Sequence, residues 1–316
     1  MVENYKTWLP VFVCILLLGV SPVWLCAQET KVFTTADFDL IGKVKSCLVL
    51  TDYGREEFDF NKAGRLTKSV TRYNDKDYSI TYYKYKDGFL AERRDEVYRD
   101  GSFDENSSIA HFFERDSTSG STITEQIVSY SKEFIDSYEY FFDEDNRLMK
   151  TIRSGTEGVD ETRVEYSRYK GETTTSYFLN EVLQRTIRES EQKGKDGKAQ
   201  RIVLTKEFIK GAPDQALEAI YNNEDQLVSE IFFDYDEKEK SFVPSKKIAY
   251  HYGEHGVHAA IKTQEGLQIR TDSFIYQFDT KGNWIKQIVT PSNSYTTRKI
   301  SYYPDEEVEA GKTGNQ

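Results

Sequence analysis

Alternation with a period of two runs over long stretches of the chain, as in Phe134, Asp136, Tyr138, Tyr140 and Phe142, mostly aromatic. Period two is that of a strand, so these positions share one face of a sheet. The runs are cut by a short phrase that returns four times: Phe58-Asp59-Phe60-Asn61-Lys62-Ala63-Gly64-Arg65-Leu66, Tyr140 to Leu148, Ala219 to Leu227, and Tyr276 to Trp284. Each copy reads as a three-residue hairpin loop, a type I turn closed by a left-handed bulge residue. Asn61, Asp143, Asn222 and Asp279 open the turn, where a side-chain acceptor helps, and Gly64, Asn146, Asp225 and Gly282 take the left-handed position. That register sets Phe60 opposite Leu66, Phe142 opposite Leu148, Tyr221 opposite Leu227 and Phe278 opposite Trp284, an aromatic against a large apolar residue each time.

Weaker copies stand between these, at Tyr83 to Leu90, Tyr166 to Gly171 and Tyr250 to Val257, with a polar break at Lys193 to Gln200. Turns then fall about 25 to 31 residues apart, which suits two strands and two turns. Residues 43 to 303 would hold about sixteen to eighteen antiparallel strands. The expected fold is all-β, a long meander of repeated hairpins. Because large sheets twist, it should be coiled or rolled into a partial barrel. No break separates two domains, so residues 28–303 read as one, followed by a polar tail at 304–316.

Composition agrees, since 22 Tyr and 19 Phe beside 6 Pro and 2 Met favour strands. A charged fraction of 30% means that many strands meet water on both faces. The net charge of −11 argues against nucleic acid and anionic lipid as partners. At the start, the apolar stretch Val11 to Val20 precedes Ser21-Pro22 and Leu25-Cys26-Ala27-Gln28, which reads as a secretory signal peptide cleaved after Ala27. Pro10, Ser21 and Pro22 interrupt the alternative, an uncleaved anchor, and Leu25 does not suit a lipoprotein site at Cys26. Cleavage removes Cys14 and Cys26 and leaves Cys47, which reads as a buried strand thiol and cannot form an intramolecular disulfide.

The four clear copies resemble YD repeats of the RHS type, whose core is Tyr-Asp-x-x-Gly-Arg-Leu; Phe60 to Leu66 is the nearest match, with Asn61 in place of Asp. Leu40 to Ser46 resembles the opening of exported YD-like proteins common in gut-type Gram-negative bacteria. Tyr83 to Glu92 is more weakly similar to MORN-type hairpins. The resemblance implies a surface or scaffold role. It supplies no catalytic residues, and the short tail Pro304 to Gln316 leaves no room for the toxin that large RHS shells enclose.

Candidate chemistry is sparse. His251, His255 and His258 crowd one turn, but the hairpin register would set His258 opposite Tyr252 and His251 opposite Ala259 on the other face, so a metal site is not expected. Gly311-Lys312-Thr313 lacks the rest of a phosphate loop. The acid pairs Asp143/Asp145 and Glu237/Glu239 fall in expected turns, and His111 reads as a half-buried strand position. No catalytic, cofactor-binding or metal-binding residues are assigned, and no cofactor. The expectation is a non-enzymatic exported protein of the periplasm, the outer-membrane surface or the exterior. It would bind a protein or glycan through an extended tyrosine-rich sheet, with dimers through free sheet edges. The alternatives are an outer-membrane barrel and, behind it, an enzyme acting on envelope polymers.

Overall fold

In the computed structural model, residues 31–116, 122–194 and 196–304 are described. The signal peptide, Cys14, Cys26, Gly311 to Thr313 and almost all of the tail lie outside them. The described chain is a meander of twenty antiparallel strands: β1 (Val44–Thr51), β2 (Gly54–Phe60), β3 (Leu66–Arg72), β4 (Tyr78–Lys86), β5 (Phe89–Arg99), β6 (Ser102–Asp116), β7 (Thr122–Ser129), β8 (Phe134–Phe142), β9 (Leu148–Gly155), β10 (Gly158–Tyr169), β11 (Glu172–Leu179), β12 (Val182–Lys193), β13 (Ala199–Ile209), β14 (Ala212–Tyr221), β15 (Leu227–Asp236), β16 (Ser241–Tyr252), β17 (His258–Glu265), β18 (Gln268–Phe278), β19 (Trp284–Thr290) and β20 (Ser294–Tyr302). Each strand pairs with the next, and β20 returns to pair with β1 through Cys47↔Ile300 and Val49↔Arg298. The sheet is therefore a closed barrel. The expected meander is present with more strands than the turn spacing suggested, and closure removes the free edges on which edge-to-edge dimers would depend.

The repeated phrase builds one rim. Asn61 Oδ1 accepts the Ala63 and Arg65 amides, both at 3.0 Å. Asp143 accepts those of Asp145 and Arg147 at 3.0 and 2.8 Å, Asn222 those of Glu224 and Gln226 at 3.0 and 2.9 Å, and Asp279 those of Lys281 and Asn283, both at 2.9 Å. Gly64, Asn146, Asp225 and Gly282 all have positive φ, and all four aromatic–apolar pairs form in the expected register. The weaker copies complete the stronger ones. The bulge frees a leucine carbonyl, and the phenol of the next hairpin donates to it: Tyr85 to Leu66 at 2.6 Å, Tyr166 to Leu148 at 2.9 Å and Tyr252 to Leu227 at 2.9 Å.

Two local expectations change. Phe134 pairs with Val128 while Asp136 pairs with Ile127, so a bulge at Ile135 turns Phe134 to the face opposite Asp136, Tyr138 and Tyr140. His251 pairs with Ala260 rather than Ala259, because Ala259 is itself the bulged residue.

The interior is identified by the segment before β1. Thr35–Phe38 form a 3₁₀ turn, with the Asp37 carboxylate accepting the Thr34 amide at 2.7 Å. Phe33 meets Tyr83 of β4 at 6.1 Å between ring centres, and Phe38 meets Phe58 and Phe60 of β2 at 4.5 and 5.4 Å. Ile300 and Tyr302 of β20 pack against the same cluster, and Asn283, between β18 and β19, bonds the Ile41 backbone, so contacts also reach strands to the other side of β1. So short a stretch reaches strands on both sides of β1 only from the concave side. It lies inside the barrel and buries Phe38 and Leu40 against Val44, Cys47, Val49, Phe60 and Leu66.

Barrels of sixteen to eighteen strands already leave a water-filled channel. Apolar packing here agrees with a lumen, because the clusters stay within neighbouring strands of the wall. One lies beneath the N-terminal segment, and the other joins Ile187, Val203, Ala219 and Tyr221 of β12 to β14. Among the described residues neither cluster bridges opposite walls.

Candidate functional site: the barrel interior

Strand pairing carries the inward face around the wall. From Tyr83 the register runs through Arg93, His111, Ile127 and Asp136 to Gly155. Most inward charges neutralise one another. Arg93 Nε lies 3.0 Å from Asp95, Arg153 lies 3.1 Å from Asp136, and Arg185 lies 2.6 Å from Glu207. His111, expected to be half-buried, is 3% exposed, with Nδ1 2.6 Å from Glu125 Oε1 and Nε2 2.7 Å from an Arg93 Nη. Glu125 is 0% exposed and takes the Tyr140 phenol on its other oxygen at 2.7 Å. Both ring nitrogens of His111 are engaged, so this network fits a strut between β5, β6, β7 and β8 rather than a proton-transfer centre. Alternation within one strand could not reveal it, since the acid arrives from the adjacent strand.

Beside the repeat rim the pattern differs. A cavity of about 510 Å³ opens at β10 to β13, and its inward members are Arg168, Thr173, Glu189, Glu191 and Arg201. Thr173 sits directly between Arg168 and Glu189 in register, and Glu191 faces Arg201. Arg201 stacks on Tyr221, 4.0 Å from the ring centre, and pairs with Asp225 at 2.6 Å. Arg168, Glu189 and Glu191 line the cavity and have no ion-pair or hydrogen-bond partner among the described residues. Nothing in the one-dimensional sequence marks these three, because only the barrel's curvature brings them together.

Under the N-terminal segment the lumen is aromatic. Arg298 lies 3.5 Å from the centre of the Trp284 ring, and burial lowers its pKa. Asn283, 1% exposed, grips the segment: its Oδ1 accepts the Ile41 amide at 2.7 Å, and its Nδ2 donates to the Ile41 carbonyl at 2.9 Å and to the Tyr302 phenol oxygen at 2.7 Å. Cys47 is buried in this region, and desolvation pushes its thiol up to about 11, as suits an inert strand thiol. The histidines of the β16–β17 hairpin diverge: His251 is exposed on the outer face, His255 packs on Phe278, and His258 packs inside against Tyr250 and Tyr252. Asp143 holds its turn, Asp145 shares Arg147 with it, and Glu237 and Glu239 lie in the β15–β16 turn.

The outer wall bears charges at mid-height. One outward row runs Leu204, Glu218, Ile231, Lys247, Gln264. Elsewhere Glu57 bridges to Arg72 at 3.2 Å, Arg94 pairs with Glu92, and Arg163 pairs with Glu165 and Glu181. No helix of the described residues is long and apolar enough to cross a membrane.

No protein-family model matches the chain, and no curated protein matches it. Solved structures do. A porin-like protein from Bacteroides vulgatus aligns at 9% identity and a TM-score of 0.24 over 83% of this chain and 99% of its own. A porin-like protein from Bacteroides uniformis gives 9% identity and a TM-score of 0.31 over 82% and 96%. A protein of unknown function from Bacteroides fragilis gives 14% identity and a TM-score of 0.18 over 55% and 92%. With identities and TM-scores this low, the fold reading rests on this chain's own strand pairing. That pairing overturns the resemblance to RHS-type YD repeats, because a sheet closed upon itself does not fit an RHS repeat. The shared letters have a local cause: this bulged turn selects Asn or Asp, then Gly, Asn or Asp, and here it joins an aromatic to a large apolar residue.

Proposed function

We propose that the chain is a non-enzymatic, exported barrel of the cell envelope that takes up a polar, uncharged ligand of the glycan class in its lumen. The observation that carries this reading is the cavity at β10 to β13, where Arg168, Glu189 and Glu191, which have no ion-pair or hydrogen-bond partner among the described residues, lie beside Thr173. The cavity lining sets three cations, Arg168, Lys170 and Arg201, against three acids, Glu172, Glu189 and Glu191, and guanidinium and carboxylate groups match the paired hydroxyls of a sugar, donating to one and accepting from the next. The cavity's size lies within the few hundred to one thousand Å³ usual for ligand sites. Calorimetric titration with a panel of neutral di- to tetrasaccharides tests the reading. Binding by at least one sugar, weakened roughly tenfold or more in Arg168→Ala and in Glu189→Ala, is the expected result. Absence of binding across the panel, or binding indifferent to both substitutions, would remove it.

A second reading, a barrel spanning the outer membrane, is favoured by the even number of antiparallel strands and their closure. Against it stand the outward charges, since each Lys or Arg facing lipid at mid-depth costs about 2–4 kcal/mol. Alkaline carbonate extraction of envelopes separates the two: release of the chain supports the luminal binder, and retention with the membrane supports the spanning barrel.

A further inference from the structure

The two rims of the barrel differ. At the rim away from the repeated phrase there are ten hairpin turns, β1–β2 through β19–β20, and each carries a large apolar side chain within about three residues that is at least 36% exposed. Three stand at turn tips: Leu267 is 102% exposed, Tyr53 72% and Tyr73 70%. On the repeat rim, several described turns, including those at Asn61, Asn222 and Asp279, carry no such residue.

The direction of these side chains says what they address. Leu179, Val182, Ile209 and Val243 belong to the inward register, whereas Phe134, Val159, Ile269 and Tyr295 belong to the outward one. An apolar residue serving the lumen would face only inward, and one serving a flanking partner would face only outward. Apolar groups on both faces of the same rim meet a common partner only if it lies beyond the end of the barrel. A closed ring of such groups touches that partner all at once when its surface is flat.

We infer that this rim docks end-on against a neutral, zwitterionic lipid surface. Tyr53, Tyr73 and Tyr295 suit that boundary, since each has an apolar ring and a polar tip. Charge decides between lipid and a second copy of the chain. In the turns of this rim nine acids, among them Asp52, Asp100, Glu157 and Glu181, outnumber five lysines, Lys76, Lys132, Lys210, Lys238 and Lys240, and the net charge is −11, so two rims brought face to face carry a like-charge excess that opposes them, as it opposes anionic headgroups. A phosphatidylcholine surface has no net charge to oppose them. This inference stands apart from the luminal reading, because the rim groups do not line the β10–β13 cavity.

Flotation of the chain from Gln28 onward, which contains the whole described fold, with phosphatidylcholine vesicles is the test. Wild-type chain should rise with the vesicles and be released by alkaline carbonate. Combining Val159→Asp, Ile209→Asp and Leu267→Asp should lower the floated fraction roughly tenfold or more, with the circular-dichroism spectrum of a β-protein retained. Phe89→Asp with Met149→Asp, on the repeat rim, should change nothing. Failure of the wild type to float, equal flotation of both variants, or resistance of the bound chain to carbonate would each overturn the proposal. So would a wild-type dimer in light scattering that the far-rim variant abolishes, since the occupant would then be a second copy.

Discussion

Single side chains hold this barrel where the backbone departs from a regular ladder. Asn61 satisfies two turn amides at once, so Asn61→Ala should lower unfolding stability by about 1 kcal/mol, measured by urea denaturation. Glu125 has a larger task, because it is fully buried between His111 and Tyr140. Glu125→Ala leaves those groups without their partner and should cost about 3–5 kcal/mol by the same measurement. The turn carboxylates give the protein an acid limit. Burial alone would raise the pKa of Asp279, but the Tyr302 phenol and the turn amides outweigh it and bring it below 3.8. A depressed folded pKa contributes stability above the unfolded value and loses it as pH falls through the folded one. The wild type should therefore lose stability below about pH 4 more steeply than Asp279→Asn, as thermal melts across that range would show. Cys47 should resist a disulfide thiol reagent at pH 8 until the protein is unfolded, since its thiol is buried and its pKa lies near 11. Rapid modification of the native chain would contradict its placement.

At the scale of elements, hairpins were legible in the sequence because their turn chemistry is local. Asn61 to Gly64 and its three counterparts could be read with their left-handed residues and cross-strand pairs, since only a few residue types tolerate that geometry. Bulges within the strands were not: the one at Ile135 turned Phe134 to the other face, and the one at Ala259 moved His251 out of its expected pairing. The inward N-terminal segment was equally hidden. Thr35–Phe38 has no period of its own; the Thr35 amide bonds the Gly64 carbonyl, and Asn283, far along the chain, grips the segment at Ile41. Asn283→Ala should loosen that segment while leaving the wall intact. Trypsin cleavage at Lys31 or Lys43 should then accelerate roughly tenfold with an unchanged far-ultraviolet spectrum. An unaltered cleavage rate would show that the packing of Phe38 and Leu40 and the backbone bonds of Phe33 and Thr35 to Leu66 and Gly64 hold it without Asn283.

For the whole molecule, the decisive fact is closure, which no repeat count could reveal because it depends on the twist summed over every strand. Closure turns an open sheet, with edges available to partners, into a wall with an inside, an outside and two unlike rims. The luminal charges at Arg168, Glu189 and Glu191 belong to the inside, and the apolar ring around Leu267 belongs to one end. Both assignments depend on the seam between β1 and β20, where the hydroxyls of Ser46 and Ser301 lie 2.6 Å apart on paired residues. Replacing both by cysteine in Ser46→Cys/Ser301→Cys tests that seam directly, because opposed residues on paired strands bring their side chains within disulfide reach. The closed barrel predicts a spontaneous intramolecular disulfide, read as a mass two hydrogens lighter (~2 Da) in a monomer whose β-spectrum is unchanged. In the chain from Gln28 onward, which also carries Cys47, three free thiols under oxidising conditions, or a disulfide that joins two chains, would contradict it.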